Sequence, residues 1–406
     1  ANVWLLALVC AIGVMMALPP SVAHLDGAGA RGEIGPLFRQ AVILAVALGV
    51  LLWLGVRHAA PLLQLLGVDP VLLPDVQAFL HALSWGAPAV CLYFSLRGLS
   101  EGQSWTRPTM LFGFAGLCAL APLGYVLIYG RLGLPALGAR GSGIANAIVL
   151  WLQVLAFGTY VRLSPRYRDL QLFAHFEKPD PRAILGLLRI GVPMAVTLLM
   201  EAGMFSIAAL LISRLGTVAV AAHQIAINVA SITFMVPLGL ALAITVRVGN
   251  AAGRNDPVGV RYAGFGGVSL TLATQCVASA LMLGLPRAIA ALYTDAPAVL
   301  ALAARLLMLA GAFQFADGIQ VACNGALRGL KDTRVPMLIT VLAYWGIGMP
   351  VGYLLAFHAG WRTPGMWVGL SAGLYAAALL LSARFTRLAR SGNWRRGARA
   401  PSPLVP

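Results

Sequence analysis

The chain alternates long apolar runs with short polar connections as far as about residue 388. A helix needs about 20 apolar residues to cross the hydrocarbon core of a bilayer, and proline, glycine and charged residues divide this chain into eleven such runs. The pattern therefore predicts an all-α integral membrane protein. The predicted spans are 3–23, 40–63, 76–98, 109–130, 141–163, 183–213, 218–246, 260–284, 297–325, 334–357 and 364–386.

Composition supports the membrane assignment. Of the 406 residues, 60% are hydrophobic and 10% are charged, whereas soluble domains carry about 25% charged residues. The formal net charge of +16 comes from basic residues in short loops. We attribute these residues to membrane orientation and expect no nucleic-acid partner.

The basic residues are concentrated in every second loop and in the C-terminal tail. Examples are Arg162, Arg166, Arg168, Arg387 and Arg390. The positive-inside rule places these loops and the C-terminus in the cytoplasm. We expect a multi-pass protein of the bacterial inner (plasma) membrane, working as a monomer in the lipid bilayer.

An internal repeat divides the chain into two halves. The segment that begins Arg97-Gly-Leu-Ser-Glu matches the segment that begins Arg328-Gly-Leu-Lys-Asp, at an offset of 328 − 97 = 231 residues. A weaker match pairs Asp26-Gly-Ala-Gly with Asn250-Ala-Ala-Gly, at an offset of 224 residues (250 − 26). Since an even number of helices separates the matched loops, both halves have the same orientation, which is a parallel repeat.

The repeat also predicts domain boundaries. The counterpart of the helix 183–213 falls before residue 1, so we expect that one helix of the N-terminal half is lacking from this sequence. The predicted parts are an N-terminal lobe, an inter-lobe linker, a C-terminal lobe and a basic cytoplasmic tail. They cover residues 1–163, 164–182, 183–388 and 389–406, respectively.

Two carboxylates interrupt apolar runs of the C-terminal lobe. Glu201 follows Thr197-Leu-Leu-Met, and Asp317 follows Phe313-Gln-Phe-Ala. An ionised carboxylate at bilayer depth costs a few kcal/mol or more, so one found there normally binds a cation, carries a proton or faces a wet cavity. Both residues are therefore candidates for cation coupling; the alternative is that each is a protonated acid in an interhelical hydrogen bond.

Neutral polar residues accompany the two acids. Gln224 and Asn228 are four residues apart and share one helix face, and three amides share a stripe with Asp317. These amides are candidate ligands for a cation or a substrate, or else they form interhelical hydrogen bonds. Aromatic residues such as Phe313, Tyr344 and Trp345 either line a pocket for a lipophilic cation or pack between helices. The stripe amides are Gln314, Gln320 and Asn324.

The sequence contains no motif for hydrolysis or nucleotide-driven transport. It has no P-loop, no G-x-S-x-G and no H-E-x-x-H. The histidines have no metal-ligand spacing, so we expect no metal site beyond transient Na⁺ at Glu201 and Asp317. We predict that the protein is not an enzyme and needs no cofactor other than the coupling ion.

Several motifs resemble the multidrug and toxic compound extrusion (MATE) family, most closely its NorM-like branch. The resemblance extends over nearly the whole chain, to about residue 388. The motifs include Arg97-Gly-Leu-Ser-Glu-Gly, Gly191-Val-Pro-Met-Ala, Ala221-Ala-His-Gln-Ile-Ala, Arg247-Val-Gly-Asn-Ala-Ala-Gly and Gly325-Ala-Leu-Arg-Gly-Leu-Lys-Asp-Thr.

The resemblance implies a fold and a set of functional residues. The fold has two six-helix lobes in parallel repeat, with eleven of the twelve helices in this sequence, around a V-shaped central cavity. Glu201 lies where the family has a carboxylate in the first helix of the second lobe, and Asp317 where NorM-like members have an acid in the tenth helix. Phe313 stands near this acid where some relatives have tyrosine, and Leu120-Ala-Pro-Leu-Gly-Tyr stands where relatives often carry asparagines. These two departures leave the choice between Na⁺ and H⁺ open.

The resemblance also implies the activity. It predicts a secondary active antiporter that exports organic cations and drugs in exchange for Na⁺ or H⁺, by alternating access. Its partners are then small cationic or lipophilic molecules. The alternative is a lipid-linked precursor flippase with a related two-lobe fold, which would favour a strongly cationic cavity, whereas the arginines here are concentrated in loops.

Overall fold

A computed structural model describes residues 2–59, 73–131, 133, 135–173, 177–392 and 394. Over these ranges the chain is all-helical, and eleven helical segments are long and apolar enough to cross a membrane. The predicted all-α membrane fold is thus confirmed. His175 and the tail beyond residue 394, with Arg395, Arg396 and Arg399, lie outside the described residues.

The chain folds into two compact units, Ala1–Ala195 and Val196–Pro406. The boundary between them lies inside a helix, two residues after Pro193, and this helix continues to Ser213. The lobe boundaries inferred from the repeat remain a prediction.

The described residues of the first unit form seven α-helices and the start of an eighth. The third span of this unit is interrupted by a turn at Trp85 and Gly86, just before Pro88, so its two parts are separate helices. The helices are α1 (Asn2–Met15), α2 (Leu18–Gly27), α3 (Ile34–Arg57), α4 (Leu73–Ser84), α5 (Ala87–Gly102), α6 (Arg107–Tyr129), α7 (Gly138–Leu163) and the first part of α8 (Pro181–Ser213).

The connection between α7 and α8 packs on the first unit. Gln40 of α3 donates from Nε2 to the backbone oxygen of Lys178 at 2.9 Å, and its Oε1 accepts from the backbone N–H of Asp180 at 2.9 Å. Arg39 forms an ion pair with Glu177. Asp180 in turn accepts from the N–H of Arg182, at 2.8 Å, and so satisfies an amide in the first turn of α8.

In the described part of the second unit, the rest of α8 is followed by seven further α-helices. Between α13 and α15 the chain includes two π-helical stretches, Leu342–Gly348 and Leu354–His358. The helices are α9 (Thr217–Gly253), α10 (Pro257–Gly284), α11 (Pro286–Ala291), α12 (Pro297–Gly329), α13 (Arg334–Val341), α14 (Met349–Tyr353) and α15 (Arg362–Ser391).

The helix α12 is the core of the second unit. It packs against α9, α10 and α15, and most of its side chains after Ala303 are buried. At Gly325 the backbones approach so closely that a Cβ atom would lie 2.5 Å from the carbonyl oxygen of Ala241. Thr245 joins the same two helices by donating to the carbonyl oxygen of Gly325 at 2.9 Å. This packing fixes the helix that carries Asp317.

The tenth and eleventh spans approach each other through glycines. A Cβ atom at Gly369 would lie 2.2 Å from the Cα atom of Gly352, and one at Gly373 would lie 3.0 Å from the Cα atom of Gly348. Both pairs repeat at a spacing of four residues, which puts each set on one helix face. Such small-residue faces let membrane helices approach closely.

Candidate functional site

The two candidate carboxylates both belong to the second unit. Glu201 of α8 is half-buried, and Asp317 of α12 is only 6% exposed. The two carboxylates lie within electrostatic range of each other. Among the described residues neither carboxylate takes part in a hydrogen bond or an ion pair. Because the two like charges have no compensating partner there, binding of a cation or a proton at this site is favoured.

A buried tyrosine hydroxyl belongs to the same unit as the two acids. Tyr344 lies in the first π-helical stretch and is fully buried, and its hydroxyl has no hydrogen-bond partner in the described part of the chain. The group lies within electrostatic range of both Glu201 and Asp317. Single π-helical turns occur frequently at functional sites. The hydroxyl is thus available as a donor to a carboxylate or as an oxygen ligand for a cation.

Trp345, the residue after Tyr344, connects the first π-helical stretch to α8. Trp345 donates from its indole Nε1 to the carbonyl oxygen of Met200 at 3.3 Å. Its ring also covers Gly203, where a Cβ atom would lie 3.3 Å from the indole. Because Met200 and Gly203 flank Glu201, this contact holds the backbone that carries the carboxylate.

Sequence reasoning missed Arg328, because the basic residues of the loops are attributed as a group to membrane orientation. The structure places it in the last turn of α12, 5% exposed, with its charge within reach of Glu201. Its basic neighbours Lys331 and Arg334 are exposed. No feature of the local sequence separates the buried arginine from these exposed residues.

The three amides of the stripe on α12 differ in their hydrogen bonding. Gln314 is fully enclosed and bonded: its Oε1 accepts from Gln275 of α10 at 3.1 Å, and its Nε2 donates to Thr233 of α9. Gln320 is 1% exposed and its Oε1 has no partner among the described residues, while Asn324 is 3% exposed. Gln314 is therefore committed to helix packing, whereas Gln320 has a free buried oxygen.

The remaining candidates have different surroundings. Gln224 and Asn228 of α9 are both exposed, and Asn228 accepts a hydrogen bond from Tyr293 at 2.9 Å. Phe313 is buried, and its ring centroid lies 5.7 Å from that of Trp367. Phe313 thus contributes to packing beside the acids. The roles of all eight candidate residues remain predictions.

Comparison with known proteins identifies the family. The MatE family model matches residues 1–126 and 193–354. The chain is 52% identical to "Probable multidrug resistance protein NorM" of Xanthomonas campestris pv. campestris, over 95% of this chain and 84% of the relative. It is 40% identical to "Multidrug resistance protein PmpM" of Pseudomonas aeruginosa, over 96% of this chain and 83% of the relative.

Solved structures share the fold. The structure described as "Outward-facing conformation of a multidrug resistance MATE family transporter of the MOP superfamily" matches with a TM-score of 0.87 at 18% identity, covering 96% of this chain and 87% of that chain. The eukaryotic MATE transporter AtDTX14 matches with a TM-score of 0.84 at 21% identity, with the same coverage. The chain therefore belongs to the MatE family and is a NorM-like membrane transporter, not an enzyme.

Proposed function

We propose that the protein is a secondary active antiporter that exports organic cations and drugs in exchange for Na⁺ or H⁺. The observation that carries this proposal is the cluster of Glu201, Asp317 and Tyr344, whose acids have no hydrogen bonds within the described ranges. Relatives at 52% and 40% identity bear the name multidrug resistance protein, which supports small-molecule drugs as the cargo.

The cluster provides a physical basis for coupling. With both acids ionised, two negative charges lie together in a buried setting, which is unfavourable because little water screens them. Binding of a cation or a proton relieves this repulsion. Tyr344 and Gln320 supply neutral oxygens for a cation such as Na⁺, and the same carboxylates accept a proton. The cluster accordingly serves either coupling ion.

Exchange requires that the ion and the drug favour different conformations. A ligand that binds two conformations equally well shifts neither population, so the coupling ion acts only if it binds one state more tightly. We assign this preference to the cluster, because its acids come from α8 and α12 and a movement between these helices alters the spacing of the charges. Alternating access then couples ion entry to drug exit.

We also propose an orientation and a partner set. The protein resides in the bacterial inner membrane with its C-terminus in the cytoplasm, since Arg387 and Arg390 follow the last apolar run. It works as a monomer and takes small cationic or lipophilic substrates. Reporter domains fused after Ser391 test the orientation: fluorescence of a cytoplasmic reporter supports it, and activity of a periplasmic phosphatase contradicts it.

Transport by proteoliposomes tests the function. The purified protein is reconstituted, a Na⁺ or pH gradient is imposed, and uptake of a fluorescent organic cation is followed. We expect uptake to be driven by at least one gradient and to stop when an ionophore collapses it. Uptake that is independent of both gradients contradicts antiport. Uptake of a lipid-linked anion in place of the organic cation supports the flippase.

A further inference from the structure

A cavity of about 460 Å³ lies in the second unit, between one face of α12 and the junction of α10 with α11. The helix α12 contributes Ala301, Ala304, Arg305 and Met308, which recur at spacings of three and four residues and so share one helix face. The junction contributes the other wall, residues 284–288. None of the eight candidate residues of the transport site lines this cavity.

Two arginines line the cavity without a compensating charge. Arg305 of α12 and Arg287 of α11 are both exposed, and over the described ranges the side chain of neither takes part in an ion pair or a hydrogen bond. No acidic residue is among those that line the cavity. A guanidinium stays charged at any ordinary pH and offers five N–H donors. The cavity therefore carries net positive charge and free donors.

Arg305 lies within an apolar run of the sequence. It is preceded by Val299-Leu-Ala-Leu-Ala-Ala and followed by Leu306-Leu-Met-Leu-Ala. The helix α12 begins at Pro297, so Arg305 is eight residues, or about 12 Å, along it. A charged residue in a membrane-spanning helix marks a functional site whose partner has to be identified. Since the long side chain of arginine reaches from such a position towards the membrane surface, the headgroup region supplies this partner.

The rest of the cavity wall is apolar. Leu285 and Met308 line it and are exposed, and Pro286 and the alanines contribute further apolar surface. A ligand that uses the whole cavity therefore combines an anionic group with an apolar part. A phospholipid has both, because its phosphate accepts paired N–H donors of arginine and its acyl chains contact apolar side chains. An organic cation, the cargo in the proposed function, is repelled by the two arginines.

We propose that this cavity binds the phosphate headgroup of an anionic phospholipid, with Arg287 and Arg305 as the phosphate ligands. Two positive charges favour a headgroup whose phosphate carries the net charge, such as phosphatidylglycerol, over phosphatidylcholine, whose own cation offsets its phosphate. The cavity lies towards the Pro297 end of α12, which is the outer end in the orientation proposed above. The bound lipid belongs to the outer leaflet and stabilises the packing of α10 and α11 on α12.

Lipid binding by the purified protein tests the proposal. The full chain in an uncharged detergent is titrated with phosphatidylglycerol, and binding is followed by native mass spectrometry and by the midpoint of thermal unfolding. We expect phosphatidylglycerol to raise this midpoint by several degrees, because a ligand that binds only the folded state stabilises it. Arg287→Gln and Arg305→Gln should each weaken binding at least about tenfold, because each removes charge-assisted hydrogen bonds to the phosphate.

Two further variants separate the cavity from general surface charge. Arg214→Gln is the matched control, because Arg214 is an exposed arginine between α8 and α9 that does not line the cavity. It removes the same charge and should leave phosphatidylglycerol binding unchanged. Ala301→Leu keeps both arginines but fills part of the cavity, so it should weaken binding. This variant keeps the test decisive if an arginine variant folds poorly.

Four results overturn the proposal. Equal binding of phosphatidylcholine would show that the cavity does not recognise headgroup charge, and equal stabilisation by inorganic phosphate would assign the cavity to a free anion. Equal weakening by Arg214→Gln would reduce the effect to surface charge, and wild-type binding in both cavity-arginine variants would remove these residues from the site. Binding is measured without an ion gradient, so the result does not depend on whether the protein is an antiporter.

Discussion

The indole Nε1 of Trp345 donates to the carbonyl oxygen of Met200 at 3.3 Å, joining the π-helical stretch Leu342–Gly348 to the residue that precedes Glu201. The stretch therefore carries two adjoining aromatic residues: the hydroxyl of Tyr344 lies within electrostatic range of the acids, and Trp345 holds the backbone of α8. The position of Glu201 depends on a contact between two helices as well as on its own helix.

Loss of the indole hydrogen bond should loosen the site. Trp345→Phe keeps an aromatic ring but removes the donor, and we expect a loss of about 1 kcal/mol in stability together with weaker cation binding. Trp151→Phe is the matched control, because Trp151 donates to the carbonyl oxygen of Trp85 at 2.9 Å in the first unit. Thermal unfolding and cation titration measure both effects. Equal effects of the two variants on cation affinity would refute the assigned role of Trp345.

The buried hydroxyl of Tyr344 should lower the stability of the protein and contribute to cation binding. Because it is buried and has no partner in the described chain, Tyr344→Phe is expected to raise stability by up to about 1 kcal/mol and to weaken cation binding several-fold. Tyr375→Phe should lower stability and leave cation binding unchanged, since its hydroxyl donates to the carbonyl oxygen of Ala312 at 2.7 Å. Unfolding and binding measured on the same preparations distinguish these outcomes. Unchanged binding in Tyr344→Phe would remove this residue from the site.

Gln314 should stabilise the packing of α12 against α9 and α10. Gln314→Leu removes two hydrogen bonds of the side chain, although Gln275 keeps its bond to the backbone oxygen of residue 314 and Thr233 keeps its bond to the carbonyl oxygen of Ala230. We therefore expect a destabilisation of about 1–2 kcal/mol. Gln224→Leu is the control, because Gln224 is exposed, and its effect should stay within about 0.5 kcal/mol. Thermal unfolding in detergent compares the two. Similar stabilities would show that the buried hydrogen bonds of Gln314 are dispensable.

The glycine contact between the last two spans should tolerate no side chain. Gly369→Ala places a Cβ atom 2.2 Å from Gly352 and forces the helices apart, at a cost of about 2 kcal/mol or more. Gly239→Ala has nothing within 4 Å of its new Cβ atom and should gain up to about 1 kcal/mol from helix propensity. The yield of monodisperse protein and its unfolding temperature measure the difference. A stable Gly369→Ala variant would contradict the close approach.

The sequence predicted the spans and the two acids because both signals are local. A run of about 20 apolar residues, or a carboxylate within one, is visible without any tertiary contact. Arg328 could not be found in this way. Arg328 has no ion pair with Asp332 because Asp332 pairs with Arg384, which is 52 residues further along the chain, whereas the matching residues Arg97 and Glu101 of the first half pair with each other.

Other features had a sequence signal that we did not use. Gly365, Gly369 and Gly373 repeat every four residues, as do Gly348 and Gly352, and this spacing indicates a close helix contact. The π-helical stretches, in contrast, depend on how α13 to α15 pack together. The free hydroxyl of Tyr344 and the bonded state of Gln314 likewise depend on neighbouring helices, so composition and periodicity do not specify them.

Direct cation binding tests the central claim. Purified wild-type protein and a Glu201→Gln plus Asp317→Asn double variant are titrated with Na⁺ by calorimetry and with acid by potentiometry, with Asp295→Asn, an exposed carboxylate, as the control. We predict saturable uptake of one of these ions by the wild type and by Asp295→Asn, and its loss in the double variant. Uptake of the same ion, with the same affinity, by the double variant would contradict the account.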